Sequence, residues 1–381
     1  MTKHEFINEL QKELSTANIK TREEILADIN EHFYEGAAQG RSEEEICISL
    51  GQPGSIARQV LEEINQQPQT APPESSWHQP QNANNNNDSD NWNSHSGDFD
   101  ETFTGVQKIN AYLEIGNLYF LPSTDSNFRV MLKGIGSRDK YSVGNHAGEL
   151  SIKIKRPFKW FQFVTPFGSK TEAIVYVPAQ FPGLIKADGI CGNIKAENIS
   201  GDLKLSAAAG NITIDNHYAN NVKAESAAGN VKIRLLNNFA EVVKLEASAG
   251  NVDFEVAETG QLKAVASAGN VNIRVQKLAG ETKIESAAGN VKLNTTSIQG
   301  NVKLESSAGN VTLTATDIQG NIRMASAVGS IKAHMPADAN CRIDATKPTM
   351  GSLKNQITGN PSSPHTLKAR AEIGSIKLLA L

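Results

Sequence analysis

Hydrophobic residues change their spacing twice along this chain. Over residues 2–64 they recur every three or four positions: Phe6, Ile7, Leu10 and Leu14; then Ile25, Leu26, Ile29, Phe33 and Ala37; then Ile46 and Leu50; then Ile56, Val60, Leu61 and Ile64. That is the period of helices burying one stripe. Thr2 before Glu5, Thr21 before Glu24 and Ser42 before Glu45 supply start signals of the capping-box type, and Pro53 opens a fourth helix. Gly40 and Gly51 supply stops. The pattern predicts a small bundle of four short helices over residues 1–65.

Residues 66–100 have no such pattern. They hold no Lys or Arg, almost no aliphatic residue and a polyasparagine run. A segment of this composition buries too little apolar surface to offset the entropy of ordering, so a disordered linker is expected. Trp77 and Trp92 are its two tryptophans, and incidental placement is the expected reading for both.

Beyond residue 101 the period falls to two. In G-N-V-K-L-E-S-S-A-G, residues 300–309, Val302 and Leu304 alternate with Lys303 and Glu305, the pattern of a half-buried strand. The phrase recurs: Gly-Asn pairs fall at Asn211, Asn230, Asn251, Asn270, Asn290 and Asn310, about twenty residues apart, with a weaker turn set at Gly201, Gly260, Gly280, Gly300 and Gly320. One coil of two short strands cannot close a core, whereas stacked coils place each Val and Leu on its counterpart. The predicted fold is therefore mainly β, a single-chain parallel β-solenoid of the β-helix or β-roll kind with ~20-residue coils. About nine of them, one inter-strand spacing apart, would make a rod of roughly 40 Å. The recurrent Gly would supply turns, and Asn211, Asn230, Asn251, Asn270, Asn290 and Asn310 would form a side-chain ladder along the stack. Residues 101–185, richer in large side chains, are expected to form an N-terminal cap and irregular first coils, and residues 186–381 the regular repeats.

Two resemblances follow from quoted residues. The core E-I-L-A-D-I-N-E-H-F at Glu24–Phe33, G-R-S-E-E-E-I at Gly40–Ile46 and L-G-Q-P at Leu50–Pro53 resemble the bacterial helical domain called HAAS. That resemblance implies a signalling or partner-binding helper of the kind carried on membrane proteins encoded near PadR-type regulators. The phrases S-A-A-G-N-V-K-[IL] and S-x-x-G-N-V-x-[IL] resemble the bacterial β-strand-repeat family described as adhesin-like, over roughly residues 105–381. It implies a solenoid behind a variable N-terminal module, with a loose link to envelope maintenance or stress response.

Charge and composition then narrow the function. Residues 1–66 carry six Lys/Arg against thirteen Asp/Glu, so the helical module is acidic and has no attraction for phosphate backbones; nucleic acid is not an expected partner. Cys47, Cys191 and Cys341 are far apart in sequence and lack C-x-x-C spacing, which excludes a written zinc site and favours a reducing compartment. With no apolar leader and no run long enough to span a bilayer, the expected location is the cytoplasm, with peripheral attachment at the inner face of the membrane as the alternative.

Catalysis is not expected, and neither is a metal or a cofactor. Carbohydrate-active β-helices need clustered carboxylates and aromatic platforms, but beyond Ser200 the aromatics are Tyr218, Phe239 and Phe254 alone. Lys223/Glu225, Lys244/Glu246, Lys283/Glu285 and Lys303/Glu305 share one coil position and read as a two-row charge ladder. A scaffold that binds protein partners is the expected function, with a surface adhesin as an alternative. One stretch suggests another: residues 153–167 place Phe158, Trp160, Phe161 and Phe163 beside Lys155, Arg156 and Lys159. Such a loop suits either a foot on an anionic membrane or a plug over the first coil.

Overall fold

The structure, a computed structural model, describes residues 1–17, 19–38, 40–66, 92–93, 97–136, 139–156, 171–236 and 239–381. They fall into two compact units, one helical and one β.

The helical unit contains α1 (Lys3–Glu13), a single 3₁₀ turn, α2 (Ile19–Ala38), α3 (Glu43–Leu50) and α4 (Pro53–Gln66). Thr2 Oγ1 accepts from the Glu5 amide at 3.3 Å while the Thr2 amide donates to Glu5 Oε2 at 2.8 Å. Ser42 and Glu45 repeat the exchange at the head of α3. These bonds stabilise the ionised carboxylates and hold Glu5 and Glu45 below the ordinary value. α2 opens at Ile19, so Thr21 lies inside its first turn and not at its head. The apolar stripes meet in a core of Phe6, Leu10, Leu14, Ile25, Ile29, Phe33, Ile46, Leu50 and Ile56, with Phe6 set edge-on to Phe33. Ala37, placed by periodicity at the end of the stripe, is exposed.

The β unit is a parallel solenoid of about 10 turns. Each coil gives one strand to each of two stacks. The first stack runs through Asp202–Ala209, Asn221–Ala228, Phe239–Ala249, the second half of Val252–Ala268, Thr282–Ala288, Val302–Ala308 and Ile322–Val328, all parallel and without slippage of register. The second runs through Ile212–His217, Val231–Leu235, the first half of Val252–Ala268, Val271–Leu278, Val291–Ile298, Val311–Thr314 and Ile331–Met335. Alternation sends Val302, Leu304 and Ser306 inward and Lys303 and Glu305 outward. Phe254, fully buried, sits in the coil that also supplies Ala264 and Ala266, so one large side chain is offset by small ones.

The recurring phrase has a physical reading at each letter. Its Ser is buried and donates to the glycine carbonyl of the preceding coil: Ser226 to Gly210, Ser286 to Gly269, Ser306 to Gly289 and Ser326 to Gly309, at 2.8 to 2.9 Å. Its Gly lies too close to that coil for any side chain: a Cβ on Gly289, at φ 155°, would come within 2.1 Å of Gly269 O. Its Asn carries the ladder described below.

Both ends break the simple order. At the N-terminal end the first coil, Lys108–Ile115 and Asn117–Pro122, is not outermost: Glu149–Lys155 and Glu172–Val177 stack on its outer side, Leu184–Cys191 and Ile194–Glu197 on its inner side. The outer coil is finished by antiparallel strands, Lys140–His146 on Glu149–Lys155, and Phe128–Lys133 between Glu172–Val177 and Phe99–Phe103. At the C-terminal end the chain makes Ile322–Val328 and Ile331–Met335, steps outward to Arg342–Ala345 and Leu353–Asn355, and returns to lay Thr366–Ile373 and Ile376–Ala380 between them. The repeats expected to run through residue 381 are thus interrupted after Met335 by this excursion, and Thr366–Ile373 and Ile376–Ala380 take up both stacks in register again. The strand Phe99–Phe103 also begins inside the segment expected to be linker, and Asn93 exchanges backbone hydrogen bonds with Tyr141.

Candidate binding face of the solenoid

Perfect register turns single residues into columns. On the first stack, Lys186, Lys204, Lys223, Lys244, Lys263, Lys283, Lys303, Arg323 and Lys368 lie one above another without interruption. Like charges so stacked repel unless counter-charges intervene. The column two residues on supplies most of them, Asp188, Glu225, Glu246, Glu285 and Glu305, with Ser206 and Val265 interrupting the row. Lys223 meets Glu225 at 2.6 Å, Lys263 pairs with Glu246, and Lys303 bridges Glu285 and Glu305 at 3.2 and 2.8 Å. Burial opposes the charge on Glu285, yet Lys283 and Lys303 hold its carboxyl below the ordinary range, and Glu305 and Glu285 raise Lys303. Of the pairs named at one coil position, Lys223/Glu225, Lys283/Glu285 and Lys303/Glu305 form within their strands, whereas Glu246 pairs with Lys263 of the next coil and not with Lys244.

The compensation ends before the column does. In the last two coils the carboxylate position is occupied by Ala325 and then Arg370. Arg323 reaches back to Glu305 at 3.3 Å, and Lys368 makes no ion pair among the described residues. Here the surface folds into an open cleft of about 430 Å³ lined by Asn301, Lys303, Asn321, Arg323, Thr366 and Lys368, with Glu281 at its far side.

At the glycine corner the amides of Asn211, Asn230, Asn251, Asn270, Asn290 and Asn310 each donate to the side-chain oxygen of the preceding asparagine at 2.8 to 3.0 Å, and their Nδ2 groups donate to the same oxygen. Asn117 and Asn193 begin this ladder, and the Ser330 amide ends it on Asn310. Those two asparagines escaped the repeat search because Ile and Cys precede their glycines where the phrase has Ala; the Gly-Asn dipeptide alone was the usable signal. The ladder consumes its own polar groups and so acts as a structural spine.

Of the 153–167 stretch, Phe158, Lys159, Trp160, Phe161 and Phe163 lie outside the described residues. Its stem is firmly placed. Arg156 forms two bonds to Asp139, at 2.6 and 2.5 Å, and one to Thr171 Oγ1 at 2.8 Å, while Gly136 N donates to Asp139. Asp139 is only 2% exposed, so Arg156 is anchored by a buried ion pair to Asp139 and joined to Thr171 by a hydrogen bond. Lys155 Nζ lies 4.8 Å from the centre of the Trp92 ring, giving that tryptophan a specific contact on the β unit. Trp77 lies outside the described residues.

Cys47, Cys191 and Cys341 are all free thiols, Cys191 exposed and the others buried, and burial raises the pKa of Cys47 and Cys341. Among the described residues no group of three His, Cys, Asp or Glu side chains is placed to hold a metal ion, and no helix is long and apolar enough to cross a membrane.

A parallel β-solenoid with a self-bonded asparagine spine and outward charge columns defines a repeat protein whose faces are regular polar surfaces. Residues 106–297 and 243–363 match the family described as Toastrack DUF4097, and residues 5–59 match HAAS. The chain belongs to the Toastrack DUF4097 family and carries a HAAS segment before its solenoid. A search of curated proteins returned no match. Among crystal structures, a candidate adhesin from Bacteroides fragilis is 17% identical, with 75% of this chain and 99% of that one covered at a TM-score of 0.31. A candidate adhesin from Parabacteroides merdae is 11% identical, covering 74% and 95% at 0.36. A candidate lipid-binding protein from Parabacteroides distasonis is 12% identical, covering 74% and 98% at 0.34.

Proposed function

We propose that the chain is a non-enzymatic scaffold that binds protein partners, with the helical unit and the solenoid engaging different ones. The observation that carries this reading is the unbroken register of the first stack, which presents polar side chains at a fixed repeat along one face. Carboxylates there are mostly committed to lysines, which suits a recognition surface better than acid–base chemistry. The helical unit has its own exposed apolar residues, Tyr34 and Ile48, at 77% and 78% exposure. Separate recruitment through such a module raises the effective concentration of whatever the solenoid holds. The free, exposed thiol of Cys191 supports a reducing compartment, and we place the protein in the cytoplasm. A role in envelope upkeep or stress response rests on the resemblance alone.

The reading is tested by capture on the full-length chain. Partners lost on Tyr34→Ser/Ile48→Ser should differ from those lost on Lys283→Glu/Lys303→Glu. If neither variant changes the bound set, or if the protein turns over a glycan substrate, the scaffold reading fails.

A further inference from the structure

The cation column runs on for two coils past the last carboxylate of the column beside it. Lys223, Lys283 and Lys303 each face a glutamate two residues on in the same strand. Arg323 and Lys368 face Ala325 and Arg370 instead. Asp344, stacked beyond Lys368, is taken by Arg370 at 2.7 Å. Among the residues lining the cleft, Lys303, Arg323 and Lys368 stand against Glu281, three cations to one carboxylate, while Glu285 and Glu305 hold Lys303, Glu305 also holds Arg323, and Lys368 makes no ion pair among the described residues. Hydrogen-bonding groups flank these cations: the Asn321 and Asn301 amides, and the Thr366 hydroxyl, to which Arg342 donates at 3.2 Å. Asn301, Asn321 and Thr366 line the same open cleft as Lys303, Arg323 and Lys368.

We propose that this C-terminal cleft binds an anion bearing two or more linked phosphate groups, held by Arg323 and Lys368 with Asn321 and Thr366 beside them. A guanidinium offers paired donors that match phosphate oxygens, and an ammonium adds a point charge. Three coils span about 10 Å from Lys303 to Lys368, two inter-strand spacings of roughly 4.8 Å, enough for adjacent phosphates and too short for a long polymer. Nucleic acid is disfavoured at this face because no aromatic side chain lies there for bases to stack on. The ligand chemistry has two sources, a free oligophosphate or the paired phosphates of a lipid headgroup, and the experiment separates them.

Binding of inorganic tripolyphosphate to the full-length protein is measured by calorimetry at low salt, with sedimentation on vesicles containing cardiolipin, a lipid with two phosphates. Ala325→Glu restores the glutamate that other coils carry at this position, and should weaken binding at least tenfold with the thermal melt unchanged. Lys332→Ser, on the other stack, should leave binding as it is. Tripolyphosphate binding assigns a free oligophosphate; vesicle binding without it assigns the headgroup; both must be lost in Ala325→Glu. Should that variant melt early, Arg323→Ser/Lys368→Ser carries the same comparison. The proposal is overturned if neither probe binds, if citrate binds as tightly as tripolyphosphate, or if binding survives in every folded variant.

Discussion

Between Ile212 and Met335 the coils stack in the order of the sequence, whereas at both ends the chain leaves that order while keeping some of the same contacts. In the middle, the recurring polar residues find partners one coil away: Ser on Gly, Asn on Asn, Lys303 on Glu285. At the ends no further coil exists, and the chain changes its means. The N-terminal end uses antiparallel strands and a buried ion pair, Arg156 with Asp139. The C-terminal end uses very short strands, Arg342–Ala345 and Leu353–Asn355, the second exposed throughout. Shortness and charge are recognised ways of making an open sheet edge a poor template. Repetition thus stabilises the interior of a stack, and only departure from repetition can finish it.

Three substitutions press on that contrast. The largest effect is expected in the middle. Gly289→Ala forces a Cβ against the backbone of the coil below, at a φ that side chains avoid, and should cost about 4 kcal/mol in denaturant unfolding. A loss below about 1 kcal/mol would mean that the coils are free to spread.

At the N-terminal end, Arg156→Met leaves Asp139 buried without its partner and should cost roughly 3 kcal/mol, read as a lower melting temperature. Asp139→Asn in the same background should recover part of the loss, because the uncompensated charge is then gone. An additive double variant would remove the ion pair as the device that secures this end.

The smallest effect marks the boundary between the two regimes. His217 is fully buried, its Nε2 donates to Gly201 O at 2.7 Å, and burial lowers its pKa to about 4. The unfolded chain takes up a proton near pH 6.5 that the folded chain refuses until about pH 4, so stability is full above the first value and is lost as pH falls toward the second. That contribution is up to about 3 kcal/mol. His217→Leu, the residue that its neighbour Leu235 supplies one coil on, should flatten the pH dependence between those values. An unchanged slope would show that carboxylates, not His217, set the acid limit.

The regular part of this fold was legible because stacking demands equivalence. Val302 and Val291 recur as they do because each must sit on its own counterpart, and that demand writes a period into the sequence. The order of the end coils was not legible, since nothing in Lys108–Ile115 says that Glu149–Lys155 will lie on one side and Leu184–Cys191 on the other. The asparagine spine could be read from Asn211 onward and was missed at Asn117 and Asn193, where a different residue precedes the glycine. For the cation column, pairs such as Lys303/Glu305 were visible one at a time, but the bare end was not. That Lys368 follows Arg323 in the stack depends on an excursion of about forty residues that the repeat pattern does not predict. Thr21 matched a helix start as well as Thr2 did, and only packing distinguished them.

The placement of the last coil also decides the order in which this chain can assemble. A repeat array ordinarily grows by adding each new unit to the free end. Here Thr366–Ile373 and Ile376–Ala380 must enter between coils that precede them in sequence, so the final strands lie inside the stack and not at its tip. Zipping from the N-terminus therefore cannot complete the rod; the excursion must stay open, or lift away, until the chain's last residues have been made. Once seated, Ile376–Ala380 is a strand paired on both sides, so unravelling does not start from it as it would from the outermost strand of an ordinary array.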